Sequence, residues 1–208
     1  MKDKKIQAVE ELVARDDAAV SIYSPKKKSP VLREIFLWLK ALTLGFVFVF
    51  FMRNVVIVQA TVPTASMNPT IPTEARIIGS RLSYIFSEPE RFDVVAFESP
   101  DGTKTSYVKR IIGLPGEIVE IIDGQVFINE SDMPLDEWYL LEPPAWISLT
   151  PQRFYVPEGH FFVMGDHRNN SRDSRGLGGD PWENLFIPLE NILGRIIIVY
   201  FPNISFVR

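Results

Sequence analysis

Ile35 to Met52 is an apolar run of eighteen residues, IFLWLKALTLGFVFVFFM, closed by Arg53. As a helix rising 1.5 Å per residue it comes close to spanning a hydrocarbon core of about 30 Å. Lys40 is its single charge and sits one to two turns inside, where its stem can carry the ammonium to the interface. From Leu44 to Met52 no polar face remains, which argues against a buried amphipathic helix. A cleaved targeting segment is usually shorter and begins nearer the start of the chain. Lys26, Lys27, Lys28, Arg33 and Lys40 lie before or early in the run, and only Arg53 closely follows it. The charge bias therefore predicts a cytoplasmic N-terminus. The chain divides into a polar cytoplasmic tail over 1–30, a single transmembrane anchor over 31–53 and an extracytoplasmic domain over 54–208. The tail is mixed in charge and carries one short candidate helix, Ile6 to Arg15.

Composition removes several classes of function. A formal charge of −4 and a pI near 5.3 are the wrong sign for a nucleic-acid binder. The absence of cysteine excludes disulfides and thiolate metal sites. His160 and His167 are too few for a histidine-based metal centre without carboxylate help.

Beyond Arg53 the pattern is one of short strands separated by turns. Ala75–Gly79, Asp93–Glu98 and Thr105–Gly113 are strand-like, with a turn at Ser99-Pro100-Asp101-Gly102. Asp123-Gly124 between Glu117–Ile122 and Gln125–Ile128 is a two-residue hairpin signal. Residues 129–153 are rich in proline and aromatics and read as an irregular excursion. Phe154–Val156 and His160–Met164 follow, and the apolar, β-branched stretch Ile192–Phe201 predicts a buried strand. No long amphipathic helix occurs after Arg53. The fold class is mainly β, a barrel- or sandwich-like domain of short, largely antiparallel strands behind one transmembrane helix.

Three stretches of this domain carry chemistry. Val62-Pro63-Thr64-Ala65-Ser66-Met67-Asn68-Pro69-Thr70 is stiffened by prolines that fix φ and withhold N–H groups, so Ser66 is displayed on an irregular loop. Such a serine is a candidate nucleophile or an ordinary turn residue. Lys109 lies in a strand whose alternation puts Tyr107, Lys109 and Ile111 on one face and Val108, Arg110 and Ile112 on the other. A lysine turned inward loses hydration and with it the preference for the charged form, which makes it a candidate base; a lysine on an edge strand would simply face water. The run from Gly165 to Gly176 crowds acids, bases, amides and hydroxyls onto one loop, able to brace a site or to be merely solvated. A hard-cation site at Asp166, His167 and Asp173 has no second ligand cluster in support.

Taken together these stretches resemble the type I signal peptidase family, the membrane-anchored Ser–Lys endopeptidases. Pro63–Thr70 resembles the nucleophile box and Arg91-Phe92-Asp93-Val94-Val95 a short strand box, with Phe92 where glycine is usual. Tyr107–Glu117 resembles the lysine box and Gly165–Arg175 the final box, with His167 and Asn169 where Asn and Asp are often seen. The resemblance covers residues 31–200 and leaves out the tail and the 129–153 excursion.

It implies that Ser66 attacks the scissile carbonyl, that Lys109 is the general base, and that the Ser66 backbone N–H and the Thr64 hydroxyl form the oxyanion hole. It further implies that Ser171 holds the lysine amine and that Asp173, Arg175 and Arg110 brace the site. No cofactor or metal is implied. The partners it implies are signal-peptide-bearing preproteins and the lipid bilayer of the plasma membrane, met by a monomer; nucleic acid is not among them. Two other classes stay open: a catalytically silent, membrane-anchored β-domain that binds rather than cleaves, and a metal-dependent hydrolase. A Ser–Lys autoprotease of the SOS-repressor kind would lack the apolar span. The charge bias makes a direct prediction about topology. A reporter that works only outside the cytoplasm should be active when fused after Gly79 and silent when fused before Pro30; the opposite pattern would reverse the orientation.

Overall fold

The structure is a computed structural model, and it describes residues 30–99, 105–140, 142–144, 151–176 and 186–208. The apolar run forms α1 (Pro30–Phe51), continued by one π-helical stretch, Met52–Val56. Pro30 stands at its first position, where a missing N–H costs nothing. Over Val31–Val56 the helix is long and apolar enough to cross a membrane, and none of that stretch is buried by the protein. Side chains such as Phe36, Trp38 and Phe46 are exposed along it, as a helix solvated by lipid requires. The chain divides into two compact units after Phe48. The expected helix over Ile6–Arg15 lies outside the described residues, as do Pro100–Lys104 and residues 145–150.

The second unit is built from β1 (Ile57–Val62), β2 (Ala75–Ser80), β3 (Val94–Glu98), β4 (Ser106–Gly113), β5 (Ile118–Ile122), β6 (Gln125–Ile128), β7 (Gln152–Tyr155), β8 (His160–Met164), β9 (Ile187–Pro188), β10 (Ile192–Phe201) and β11 (Ser205–Phe206). A single helical turn, α2 (Ser83–Phe86), follows β2. Eight strands form one sheet in the order β1-β2-β10-β3-β4-β8-β9, with β11 beside β10. The other three form a sheet ordered β6-β5-β7. Every described pairing is antiparallel, as the short strands and hairpin signals lead one to expect. The β5–β6 turn places Asp123 and Gly124 at φ of 50° and 80°, the left-handed pair that matches the twist of a two-residue hairpin.

β4 is the strand on which the site depends. It lies between β3 and β8, so it is not an edge, and its residues from Val108 onward are buried. Its alternation is the one read from the sequence. Ile111 packs with Val95, Phe97, Phe161, Val163 and Ile187, while Val108 and Ile112 enter two other apolar clusters. β10 departs from expectation. It is long and apolar, but only Gly194, Ile196 and Val199 are buried, and Arg195, Tyr200 and Phe201 are exposed. It pairs with β2 on one side and β3 on the other and turns one face away from the core, so its apolar composition does not make it a fully buried strand.

The cluster of Ile112, Val119, Ile121, Val126, Phe154 and Phe162 joins the two sheets, and the rings of Phe154 and Phe162 meet at 4.8 Å. Phe162 is wholly buried. Phe162→Ala should cost about 3–5 kcal/mol in urea unfolding, because both the transfer and the cavity terms apply. A loss below about 1 kcal/mol would show that this cluster does not couple the sheets.

Candidate active site

The serine loop and the lysine strand meet. After β1, the chain turns sharply through Pro63 to Glu74, with Asn68 N–H bonded to Ala65 O at 3.0 Å and Ile71 N–H to Met67 O at 2.8 Å. Met67 and Ile71 are fully buried and anchor the loop in the core, which leaves Ser66 at its inner surface with 7% of its area exposed. Lys109 arrives from β4 with 3% exposed, and its Nζ donates to Ser66 Oγ at 2.6 Å. Thr64 Oγ1 lies 3.3 Å from the same Ser66 Oγ. Burial removes most of the hydration of the ammonium, and Arg175 adds a repulsive charge. Asp173 and Asp166 pull the other way but do not cancel the loss. The amine is brought down from its ordinary 10.5 to about 8.

The loop after β8 holds the other side. His167 N–H donates to Ser66 O at 3.1 Å, and His167 Nδ1 lies 3.3 Å from Ala65 O. Gly165 permits this approach: a Cβ there would lie 2.1 Å from Ser171 Oγ and 2.5 Å from Ser66 O. Ser171 is buried at this contact and near enough to Asp173 to favour its charged form. Among the described residues, no hydrogen bond of good geometry reaches Ser171 Oγ, from Lys109 or any other group. Asp173 accepts from Gly165 N–H at 3.0 Å and from Arg175 Nε and Nη2, each at 2.8 Å. Burial alone would raise its pKa; the charge and hydrogen bonds of Arg175, with the Gly165 N–H, outweigh burial and hold it below the usual carboxylate range. Arg175 Nη2 also donates to Arg168 O at 2.9 Å, which closes the loop on itself.

The chain is similar in sequence to known peptidases. The family model described as "Signal peptidase, peptidase S26" matches residues 35–201. The chain belongs to that family. A signal peptidase I of Leptolyngbya laminosa is 35% identical over 86% of this chain and 83% of its own length. A probable signal peptidase I-2 of Synechocystis sp. is also 35% identical, over 86% of this chain and 79% of its own. A chloroplastic thylakoidal processing peptidase 1 of Arabidopsis thaliana is 33% identical over 72% of this chain, which spans 44% of that longer protein.

In this family member the second cation of β4 is as buried as the first but is treated differently. Arg110 is fully enclosed, and its Nε and Nη2 bond Asp166 Oδ1 and Oδ2 at 2.9 and 2.7 Å. Its Nη1 donates to Phe92 O at 2.8 Å and to Arg208 O at 2.7 Å. Its Nη2 also reaches Thr70 Oγ1 at 3.3 Å, and that hydroxyl in turn donates to Asp166 Oδ2. The Ser66 loop, the β3 entry, the loop after β8 and Arg208 thus converge on one guanidinium. Tyr139 covers it, with Arg110 Cζ 4.1 Å from the ring centroid.

Of this second layer the residue pattern points to Arg110 alone, as a brace. Asp166 enters it only within the final box and the metal alternative, and Thr70 and Tyr139 have no assigned role. Glu137 was also missed; it pairs with the buried Arg168, whose Nη2 bonds Tyr139 Oη at 3.0 Å. A paired charge within each box was the available signal, since a buried arginine demands a carboxylate. Phe92, out of pattern where glycine is usual, sits at φ 73°. That conformation costs a side-chain-bearing residue about 1–2 kcal/mol. The Phe92 ring packs edge-on against Trp138 at 4.7 Å and Tyr139 at 5.9 Å, which offsets the strain in an aromatic corner glycine could not form.

Asp166→Asn should lower stability by about 3–5 kcal/mol, because it leaves Arg110 buried without its counter-charge. Urea unfolding of the full chain in detergent measures this, and a change below about 1 kcal/mol would show that Thr70 and the carbonyls suffice for Arg110.

Proposed function

We propose that this signal peptidase family member is a serine endopeptidase that removes signal peptides from exported preproteins, with Ser66 as nucleophile and Lys109 as general base. The observation that carries the reading is the 2.6 Å contact between Lys109 Nζ and Ser66 Oγ in a nearly closed site. With the amine neutral, the same contact reverses and the hydroxyl donates to nitrogen. Ser66 Oγ then attacks the scissile carbonyl and passes its proton to Lys109, which returns it to the leaving amine. Water hydrolyses the acyl-enzyme, again with Lys109 taking the proton. At pH 7 a lysine with a pKa of about 8 is roughly one-tenth neutral, against about 3 parts in 10,000 for an unperturbed one. That gain of a few hundredfold in competent base explains why no histidine is needed.

The Ser66 N–H and Thr64 hydroxyl are the groups available to an oxyanion on the far side of Ser66. One such donor is worth about 10²–10³ in kcat. Ser171 and the Asp173–Arg175 pair act through Lys109, by fixing the wall against which the amine rests. Substrate binds as an added strand. β1 is the end strand of its sheet, and a groove of about 410 Å³ runs along it, lined by Val58 to Thr64, Tyr107, Val108 and Lys109, with Ser66 in its wall. The groove is mostly apolar, and the reading places small side chains of the substrate in it next to the cleaved bond. The apolar helix fits a membrane anchor, with the catalytic unit outside the cytoplasm and the aromatic excursion at the lipid surface.

Ser66→Ala should abolish cleavage of a model preprotein, as should Lys109→Arg, since a guanidinium keeps the charge but does not deprotonate. Lys109→Met should be inactive yet more stable. A lysine whose folded pKa is lowered disfavours folding at every pH below that value. The penalty fades as pH rises from about 8 to the ordinary 10.5, and over that interval 2.5 units correspond to about 3 kcal/mol. The stability gain of Lys109→Met should accordingly be full at pH 7 and largely gone by pH 11. An active Lys109→Arg enzyme would falsify the general-base role; a destabilised Lys109→Met would remove desolvation as its cause.

A further inference from the structure

The groove beside Ser66 extends the length of β1, and its far end is occupied by a cation. Arg81 lines the same groove as Ser66 and Lys109. Its backbone N–H bonds Val56 O at 2.9 Å and its Nε reaches Ile57 O at 3.4 Å, so it is fixed where β1 begins. Its two Nη atoms have no partner among the described residues, and no carboxylate pairs with it there. Other cations around the site are treated differently: Arg110, Arg168, Arg175 and Arg195 each hold an acid. The lining is mostly apolar, with Val58, Ala60, Ala96 and Leu193 in it, and Gln59, Thr105 and Ser106 add uncharged polar groups. Arg81 is therefore a charged, donor-rich group at the end of a mostly apolar channel, with its Nη donors unspent on the described residues.

Relying on the cleavage reading above, we infer that Arg81 is a specificity-determining residue. It reads the preprotein about five to seven residues upstream of the cleaved bond, donating to a carbonyl or carboxylate oxygen there and repelling a cation. The spacing comes from the strand itself. Ile57–Val62 and the two further residues to Thr64 span this distance at about 3.3 Å per residue, and an added strand keeps the same rise. The chemistry suits a substrate whose apolar segment is helical and ends before an extended cleavage site. The last four carbonyls of such a helix lack internal partners and carry its negative dipole end. A guanidinium fork is well shaped to cap them. A lysine at that point in the substrate would instead face Arg81 across a groove of reduced dielectric.

The test uses the full chain in neutral detergent and a set of preprotein peptides that differ only in the residue five, six or seven positions upstream of the cut, as Ala, Asp or Lys. For the wild type, kcat/KM should be about tenfold lower with Lys than with Ala at one of these positions, and Asp should be cleaved at least as well as Ala. Arg81→Ala should flatten this dependence, and Arg81→Glu should invert it. The same order of peptides in the wild type and Arg81→Glu would overturn the inference while leaving the nucleophile and base assignments intact. So would an Arg81 effect that appears only when anionic vesicles are added and ignores the peptide, because that would make Arg81 a lipid contact. If the wild type cleaves none of these peptides while Ser66→Ala is equally inert, the cleavage reading fails and the inference fails with it. Melting curves for each variant keep a folding defect from counting as lost recognition.

Discussion

One strand carries two adjacent cations into the interior on opposite faces, and the protein resolves the two burials in opposite ways. Arg110 cannot lose its proton, so it must be neutralised. Asp166, two backbone carbonyls, Thr70 and the face of Tyr139 surround it. Lys109 can lose its proton, and nothing next to it compels it to stay charged. Its immediate partner is a hydroxyl, and the nearest carboxylates are already committed to arginines. The same burial that makes Arg110 a structural hub suits Lys109 to the base role proposed for it.

The arginine layer also explains how two loops distant in sequence are kept in register. Thr70 and Asp166 are 96 residues apart and share one hydrogen bond over the Arg110 guanidinium. Three residues before Thr70 is Met67, sunk in the core, and next to it is Ser66. One residue after Asp166 is His167, whose N–H holds the Ser66 carbonyl. An error in placing Arg110 would therefore reach Ser66 through two routes at once, which is the arrangement expected where reacting groups need positions held to fractions of an ångström.

Much of this could be read from residue order. The apolar run, the β-rich remainder and the Asp123-Gly124 turn each carry a local signal that the tertiary structure does not override. Ser66, Lys109 and the final loop stood out because their residue types conflict with their settings: a serine among prolines, a lysine among β-branched residues. Pairings across the chain were harder. Nothing local to Asp166 says that its partner is Arg110 and not Arg168 or Arg175. Glu137 lies in a stretch with no period, so its hold on Arg168 has no signature. β10 misled because composition reports how apolar a strand is, whereas exposure depends on what lies over each face. The φ of Phe92 was hinted at by the glycine usual there, but its compensation by Trp138 and Tyr139 exists only in three dimensions.

The central claim is that Lys109 works neutral because the fold strips its hydration. The pH dependence of kcat/KM for the wild type tests it most directly, with a peptide that has no group titrating between pH 6 and pH 11. Because kcat/KM reports the free enzyme, the rising limb should follow Lys109 and have its midpoint near 8. A limb centred near the ordinary lysine value of 10.5, or a rate that does not rise at all across this range, would contradict the account.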